Sequence, residues 1–167
     1  ADPPTTTLQR LKGLTTGSLP TFIEAGANFG GAGRVREDTW IGQLRERALA
    51  ARGNATGGMT FVGDDTWQMV FASLFDEAWP YSSFNVEDLD TVDAGVEQRM
   101  LHAMEQPDWT LIVAHSLGVD HVGHRFGPAH ARMPPKLQQM DELVQKVLDR
   151  LDDETLFVFL GDHGMDA

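Results

Sequence analysis

The sequence predicts an α/β fold, namely a doubly wound and mostly parallel sheet with helices on both faces. Two observations lead to this prediction. Segments with a helical spacing of apolar residues alternate along the chain with short apolar runs, which is typical of repeated strand-helix units. Two of the runs, residues 109–114 and 155–160, are almost continuously apolar, as expected of strands buried on both faces of a parallel sheet.

The first element is a short helix that follows an extended, proline-rich start and closes on Gly17. Three hydroxyl residues, Thr5, Thr6 and Thr7, precede it. Hydroxyls at a helix start lie near free N–H groups and the positive end of the dipole, which favours phosphate binding. The alternative is that one of these threonines is simply an N-cap.

A helix and a strand come next. Residues 39–49 carry apolar positions at helical spacing, and residues 59–63 have the composition of a strand that leads into a turn. Asp64 and Asp65 follow this strand. They are either ligands or caps of the next helix, and capping is the preferred interpretation.

The second half of the chain repeats the alternation. Residues 90–106 predict a helix before the strand at residues 109–114, and residues 136–151 predict an amphipathic helix with its charges outward. The apolar stripe of the latter helix includes a methionine, which we interpret as core. Its members are Leu137, Met140, Val144, Val147 and Leu151.

Two Asp/His motifs follow the two apolar strands. The first lies within residues 114–128 and contains Asp120 and His124; the second, Gly-Asp-His-Gly, contains Asp162 and His163. Because the carboxyl ends of parallel strands meet at one sheet edge, we expect these side chains to converge. Carboxylate oxygen with neutral imidazole nitrogen suits zinc, and manganese less tightly. Glycines beside the polar groups allow close approach to a ligand.

Each of these residues also has a simpler interpretation. Asp162 alone could cap a turn, and His115, His121 or His124 alone could be a partly buried histidine with satisfied hydrogen bonds. The two motifs together, each at the end of an apolar strand, favour the metal site.

Composition excludes several classes of protein. The 167 residues suffice for one ordinary core, and a net charge of −12 argues against nucleic-acid binding. The absence of cysteine excludes disulfides and thiolate zinc fingers. No apolar run approaches the ~20 residues that cross a bilayer, so we expect any membrane-spanning region outside this stretch. Asn54 begins a glycosylation sequon, which can be used only in a lumenal or extracellular segment.

The motifs together resemble those of the alkaline phosphatase superfamily, in the branch that holds nucleotide pyrophosphatases/phosphodiesterases and phosphoethanolamine transferases. The resemblance rests on residues 4–17, 119–124 and 161–164. Residues 10–23, 63–67 and 83–93 are similar, more narrowly, to the transferases of GPI-anchor synthesis. The resemblance implies that residues 1–167 are part of one alkaline phosphatase-like catalytic domain, with both domain ends and the membrane-spanning region outside them.

The resemblance also implies roles for individual residues. Thr7 matches the nucleophile, with Thr6 as the fallback. Two divalent metal ions, zinc first and manganese second, are implied. One is held by the nucleophile with Asp162 and His163.

The other ion is implied to be held by Asp120 and His124, and His121 is not a ligand in this pattern. An early Asp and a late His of the family pattern would lie outside residues 1–167, so the residues present hold an incomplete site.

The activity implied by the resemblance is transfer of phosphoethanolamine from phosphatidylethanolamine to a mannose of the GPI precursor, through a covalent intermediate on Thr7. It implies a protein of the endoplasmic reticulum membrane with its catalytic domain facing the lumen, and it allows a partner membrane subunit. The alternatives are a secreted or lumenal phosphodiesterase that uses water as acceptor, and a noncatalytic lumenal module that binds metal for stability. Sulfatase chemistry is disfavoured, since no cysteine can become formylglycine.

Overall fold

A computed structural model describes residues 6–18, 37–53 and 56–165 of the chain. Its centre is a parallel sheet of three strands, β1 (Met59–Asp64), β2 (Glu77–Tyr81) and β3 (Leu111–His115), in the order β2-β1-β3. Six helices are found among the described residues. They are α1 (Thr7–Thr16), α2 (Trp40–Ala51), α3 (Thr66–Phe71), α4 (Thr91–Met104), α5 (Gly118–Phe126) and α6 (Met133–Leu148). The predicted α/β class is therefore confirmed.

Strand β1 lies in the middle of the sheet, and all six of its residues are buried. Successive side chains of a strand point to opposite faces, so β1 contributes to two separate cores. Met59 and Phe61 lie in one apolar cluster, while Val62 lies in the other. Helices cover both faces, as a doubly wound arrangement requires.

The two clusters use different helices. The first cluster joins the sheet to α1, α2 and α3, and contains Leu11, Ile41, Met59, Phe61, Trp67, Val70, Phe71 and Phe75. The second joins the sheet to α4 and α6, and contains Val62, Val92, Val96, Met100, Leu117, Leu143 and Val147.

Several local predictions are confirmed. Helix α1 ends at Gly17, whose φ of 71° is left-handed and whose N–H donates to the carbonyl of Gly13. The helix predicted from residue 39 is α2, and the structure adds that Thr39 caps it, because its Oγ1 accepts a hydrogen bond from the Gly42 N–H at 3.0 Å. Asp64 behaves as a cap rather than a free ligand, since its Oδ1 accepts from the Thr66 N–H at 2.7 Å.

The predicted strand at residues 155–160 is wrong. The segment is not a strand in the structure, and Leu156 is 87% exposed and Phe159 67% exposed. Phe157 packs against the second cluster and stacks on Phe159. A continuously apolar segment is buried as a strand only where other elements pack on both of its faces. Among the described residues, only Phe157 of this segment packs against an apolar cluster.

Two elements were not predicted. Strand β2 has mostly exposed residues and contains Pro80, which is tolerated at the edge of a sheet, and it therefore lacks the apolar pattern of β1. Helix α5 lies within the Asp/His motif itself. The sequon residues Asn54 and Ala55, and Thr5, lie outside the described residues. None of the described helices has the length and apolar character needed to cross a bilayer.

Asp76 joins the start of β1 to α2. Its Oδ2 accepts a hydrogen bond from the Met59 N–H at 2.9 Å, and its Oδ1 lies 3.1 Å from Nη2 of Arg45. Burial acts to raise the pKa of Asp76, but the Met59 hydrogen bond and the Arg45 charge outweigh it. The pKa therefore lies below its ordinary value of 3.8.

We predict that Asp76→Asn lowers the free energy of unfolding by about 0.5–1 kcal/mol at neutral pH, since partial exposure screens the ion pair. A lowered folded-state pKa contributes stability above the unfolded pKa and loses it as pH falls. The difference between wild type and variant should therefore shrink as pH falls below 3.8 and vanish only below the lowered folded-state pKa. Thermal unfolding across pH 2–7 measures this difference, with the exposed Glu77→Gln as control. A difference that is independent of pH would contradict the assignment.

Candidate metal centre

Helix α5 carries the first Asp/His pair. Asp120 and His124 are four residues apart, which places them on one face of the helix, and Nε2 of His124 lies 3.3 Å from Oδ1 of Asp120. The Asp120 side chain is 29% exposed and that of His124 60%. The pair therefore lies at the surface, within reach of a ligand from solvent.

The start of α5 is positioned by a buried carboxylate on α4. Oδ1 of Asp93 accepts hydrogen bonds from the N–H groups of Leu117 and Gly118, at 3.1 and 3.0 Å. These N–H groups have no partner inside α5, so Asp93 supplies one. Asp93 itself is 1% exposed, and Nζ of Lys136 on α6 lies 3.2 Å from its Oδ2.

Gly118 is required for this close approach. A Cβ at this position would lie 2.0 Å from Oδ2 of Asp93 and 2.8 Å from the carbonyl oxygen of Leu89. Because the carbonyl belongs to the backbone, a side chain at Gly118 would displace the start of α5 and with it Asp120.

The second Asp/His pair lies in the extended segment after residue 160. Nε2 of His163 lies 3.6 Å from Oδ2 of Asp162 and 3.9 Å from Oδ1 of Asp120. The segment approaches α5 closely at Gly123, where a Cβ would lie 2.1 Å from the sulfur of Met165. The structure thus brings Asp120, His124, Asp162 and His163 together, as the sequence predicts.

The tautomer of His163 follows from its neighbour. Nδ1 of His163 lies 3.1 Å from the carbonyl oxygen of Gly164, which can only accept a hydrogen bond. In the neutral ring, Nδ1 therefore carries the proton and Nε2 presents its lone pair to the two carboxylates. A second hydrogen bond of this kind is usual for metal-binding histidines.

Two buried carboxylate oxygens support this interpretation. Oδ1 of Asp120 and Oδ2 of Asp162 have no hydrogen-bond partner among the described residues. Buried oxygens of this kind are costly when unpaired. Two ligand atoms about 2.1 Å from a tetrahedral ion lie about 3.4 Å apart, which is close to the separations within both pairs. The donor set therefore fits zinc.

Neither pair completes a coordination sphere. In the part of the chain that the structure describes, no group of three or more His, Asp or Glu side chains is arranged to hold a metal ion. An ion held at either pair would therefore need further ligands beyond the two side chains of that pair.

Thr7 is the first residue of α1, and Thr6 is its N-cap by position. The Thr6 hydroxyl donates to Oε1 of Gln9 at 3.0 Å, whereas no hydrogen bond of the Thr7 hydroxyl is found among the described residues. The face of α1 that carries Arg10 and Leu14 lines a cavity together with Asp162. Helix α1 therefore lies beside the second Asp/His pair, with Thr7 at its start.

The other two histidines of the first motif have different partners. His121 is buried, and its ring nitrogens lie 2.7 Å from the carbonyl oxygen of Asp88 and 3.2 Å from that of Ser83. Nδ1 of His115 accepts a hydrogen bond from the Trp67 indole at 2.9 Å. Both imidazole rings are therefore engaged in hydrogen bonds that stabilise the fold.

The interactions that position the site were not predicted from the sequence. The four-residue spacing of Asp120 and His124 was a signal for a helix within the motif. Nothing in the local sequence pairs Asp93 with Lys136, because these residues meet only when α4 and α6 pack.

Comparisons with known proteins find a matching family model and similar curated proteins. A family model described as type I phosphodiesterase / nucleotide pyrophosphatase matches residues 28–167. The match includes all four residues of the two Asp/His pairs and begins after Thr7. No solved structure matches the chain.

Curated relatives are similar over nearly the whole chain. GPI ethanolamine phosphate transferase 3, catalytic subunit, of Homo sapiens is 50% identical over 98% of the chain and 14% of its own length. GPI ethanolamine phosphate transferase 3 of Saccharomyces cerevisiae is 51% identical over 99% of the chain and 16% of its own length. GPI ethanolamine phosphate transferase 2 of Yarrowia lipolytica is 38% identical over 98% and 19%. The chain thus spans less than a fifth of the length of these relatives.

We predict that Asp93→Ala lowers the free energy of unfolding by about 3 kcal/mol and reduces bound zinc, because it removes the partner of a buried Lys136 and frees the start of α5. Asp90→Ala is the matched control. Asp90 also pairs with Lys136, at 2.7 Å, but its side chain is 83% exposed, so we expect less than about 1 kcal/mol. Thermal unfolding and metal analysis measure both effects, and equal losses for the two variants would contradict the role of Asp93.

Proposed function

The chain belongs to the type I phosphodiesterase / nucleotide pyrophosphatase family, and on this premise we propose that it is part of a metal-dependent phosphoethanolamine transferase acting on the GPI-anchor precursor. The names of its relatives support a transferase, and the family description supports phosphodiester chemistry. The donor in this proposal is phosphatidylethanolamine, and the acceptor is a mannose hydroxyl of the GPI glycolipid.

One observation carries the proposal. Two buried carboxylate oxygens without hydrogen-bond partners face the imidazole of His163, next to a helix that starts with Thr7. A catalytic metal site differs from a closed structural one in keeping a ligand position open, and we propose that the Thr7 hydroxyl occupies such a position.

We assign the four ligands to two ions. Asp162 and His163, with Thr7, would hold one zinc ion, while Asp120 and His124 would hold the other; manganese is the second choice. When bound, such a pair of ions neutralises the phosphoryl oxygens and both the attacking and leaving oxygens.

In the first step, the Thr7 oxygen attacks phosphorus and the bond from phosphorus to the diacylglycerol oxygen breaks. The proton lost by Thr7 balances the one gained by the diacylglycerol hydroxyl. The Thr7 hydroxyl suits this role better than that of Thr6, which is engaged with Gln9.

In the second step, the mannose hydroxyl attacks the same phosphorus atom and the bond to Thr7 breaks. The threonine hydroxyl is restored, and the phosphoethanolamine now lies on the glycan. The covalent intermediate must survive until the acceptor arrives, so water has to be excluded from the site. We place this chemistry on the lumenal side of the endoplasmic reticulum membrane.

A second candidate function is hydrolysis. The family description itself names phosphodiesterases and pyrophosphatases, in which water takes the place of the glycan. The same residues would serve, and the acceptor alone distinguishes the two reactions.

We predict that Thr7→Ala in the full-length protein abolishes the phosphoethanolamine adduct and leaves zinc content largely unchanged, because the carboxylate and imidazole ligands remain. Thr6→Ala is the control and should retain the adduct. Peptide mass spectrometry after incubation with phosphatidylethanolamine locates the modification. An adduct found on Thr6 would contradict the assignment of Thr7 and identify Thr6 as the nucleophile.

We predict that the full-length protein restores phosphoethanolamine on the GPI mannose in cells that lack this activity, and that His124→Ala fails to do so. His130→Ala is a suitable control, since His130 stacks on Phe126 outside the cluster. Analysis of the GPI glycan measures the outcome. If the wild type released free phosphoethanolamine at one rate with and without acceptor, and never modified the glycan, hydrolysis would replace transfer.

A further inference from the structure

A cavity of about 230 Å³ lies between α1 and the segment that carries the second Asp/His pair. Arg10, Gly13 and Leu14 of α1 and the following Ser18 line one side, and residues 160–162 line the other. The cavity therefore adjoins the candidate metal centre through Asp162, and its lining residues from α1 are not among the proposed ligands.

Arg10 is the unusual member of this lining. Its Nε and Nη2 atoms are buried and have no hydrogen-bond partner among the described residues. A guanidinium has five N–H donors and stays charged, so buried N–H groups without acceptors are costly. Such an arrangement is expected where a ligand supplies the acceptors.

The position of Arg10 relative to Thr7 defines which ligand fits. Residues three apart in a helix share a face and differ by about 4.5 Å along the axis, so Arg10 lies one turn from Thr7 on the same side of α1. Because the free N–H groups of Arg10 are donors on a cation, the ligand that suits the cavity supplies hydrogen-bond acceptors and negative charge.

We propose that Arg10 binds the nonbridging oxygens of the substrate phosphoryl group and so positions phosphorus for attack by Thr7. The inference rests on the proposed function and adds to it the residue that recognises the anion. A planar guanidinium fork offers two parallel N–H groups to two phosphate oxygens. A local cation is needed for this purpose, because the net charge of −12 otherwise repels anions.

The same charge predicts how the donor is oriented. The ethanolammonium group of phosphatidylethanolamine is cationic and is repelled by Arg10, so it must point away from the α1 side of the cavity. Arg10 thus distinguishes the phosphoryl end of the headgroup from its amine end.

The test uses the full-length protein, with inorganic phosphate as the probe. We expect phosphate to inhibit adduct formation in the wild type, and Arg10→Gln to weaken that inhibition by about 10- to 100-fold, as for loss of a hydrogen bond to a charged group. The rate of adduct formation should fall, while zinc content and unfolding temperature stay at the wild-type level. Lys12→Gln, which removes one cation from the same helix without touching the cavity, should leave phosphate inhibition unchanged.

Arg10→Lys provides a second variant for the case in which the glutamine variant does not fold. Lysine keeps the charge but lacks the planar fork, so we expect intermediate inhibition by phosphate. Wild-type inhibition in both folded variants, or an equal loss in Lys12→Gln, would overturn the proposal.

Failure of the proposed function has a different signature. If the wild type formed no adduct, but phosphate bound it in calorimetry and Arg10→Gln abolished that binding, the anion site would stand and the transferase would not. If the wild type formed the adduct, and Arg10→Gln also formed it with unchanged inhibition by phosphate, the transferase would stand and the anion site would not.

Discussion

The buried carboxylate of Asp93 determines where helix α5 begins, and the geometry of the candidate metal centre depends on that point. One of its oxygens accepts two backbone N–H groups at the start of α5, and the other lies beside Lys136. A carboxylate with 1% exposure is stable only when charge and hydrogen bonds are both satisfied. The Asp93 carboxylate therefore connects three helices, α4, α5 and α6. Because it fixes the start of α5, it also fixes the positions of Asp120 and His124.

The two halves of the centre are held in different ways. The half on α5 is held by the hydrogen bonds of Asp93 and by Leu117, which packs in the second apolar cluster. The half with Asp162 and His163 is an extended segment that meets α5 where Gly123 faces Met165. Arg10 and Thr7 come from a third element, α1, which packs on α2 and α3. In the proposal, the site therefore depends on three separately supported parts of the fold.

Much of the architecture could be predicted from the sequence because burial leaves a local pattern. The apolar runs predicted β1 and β3, Gly17 predicted the end of α1, and the two Asp/His motifs were expected to meet. Strand β2 could not be predicted in this way, since an exposed edge strand that contains Pro80 carries no apolar pattern. The strand predicted at residues 155–160 was wrong for the opposite reason. The apolar pattern there is strong, but the local sequence does not specify the elements that would have to pack on it. The roles of Thr7 and the four ligands stay predictions.

The exposure of residues 155–160 has a consequence for handling the protein. Six consecutive uncharged residues rich in aromatic and β-branched side chains combine high β-propensity with low net charge, and four of them, Leu156, Val158, Phe159 and Leu160, are exposed. Extended segments of this composition associate with one another through backbone hydrogen bonds and interdigitated side chains. By its composition and exposure, this segment is therefore the place where self-association of the chain is expected to begin.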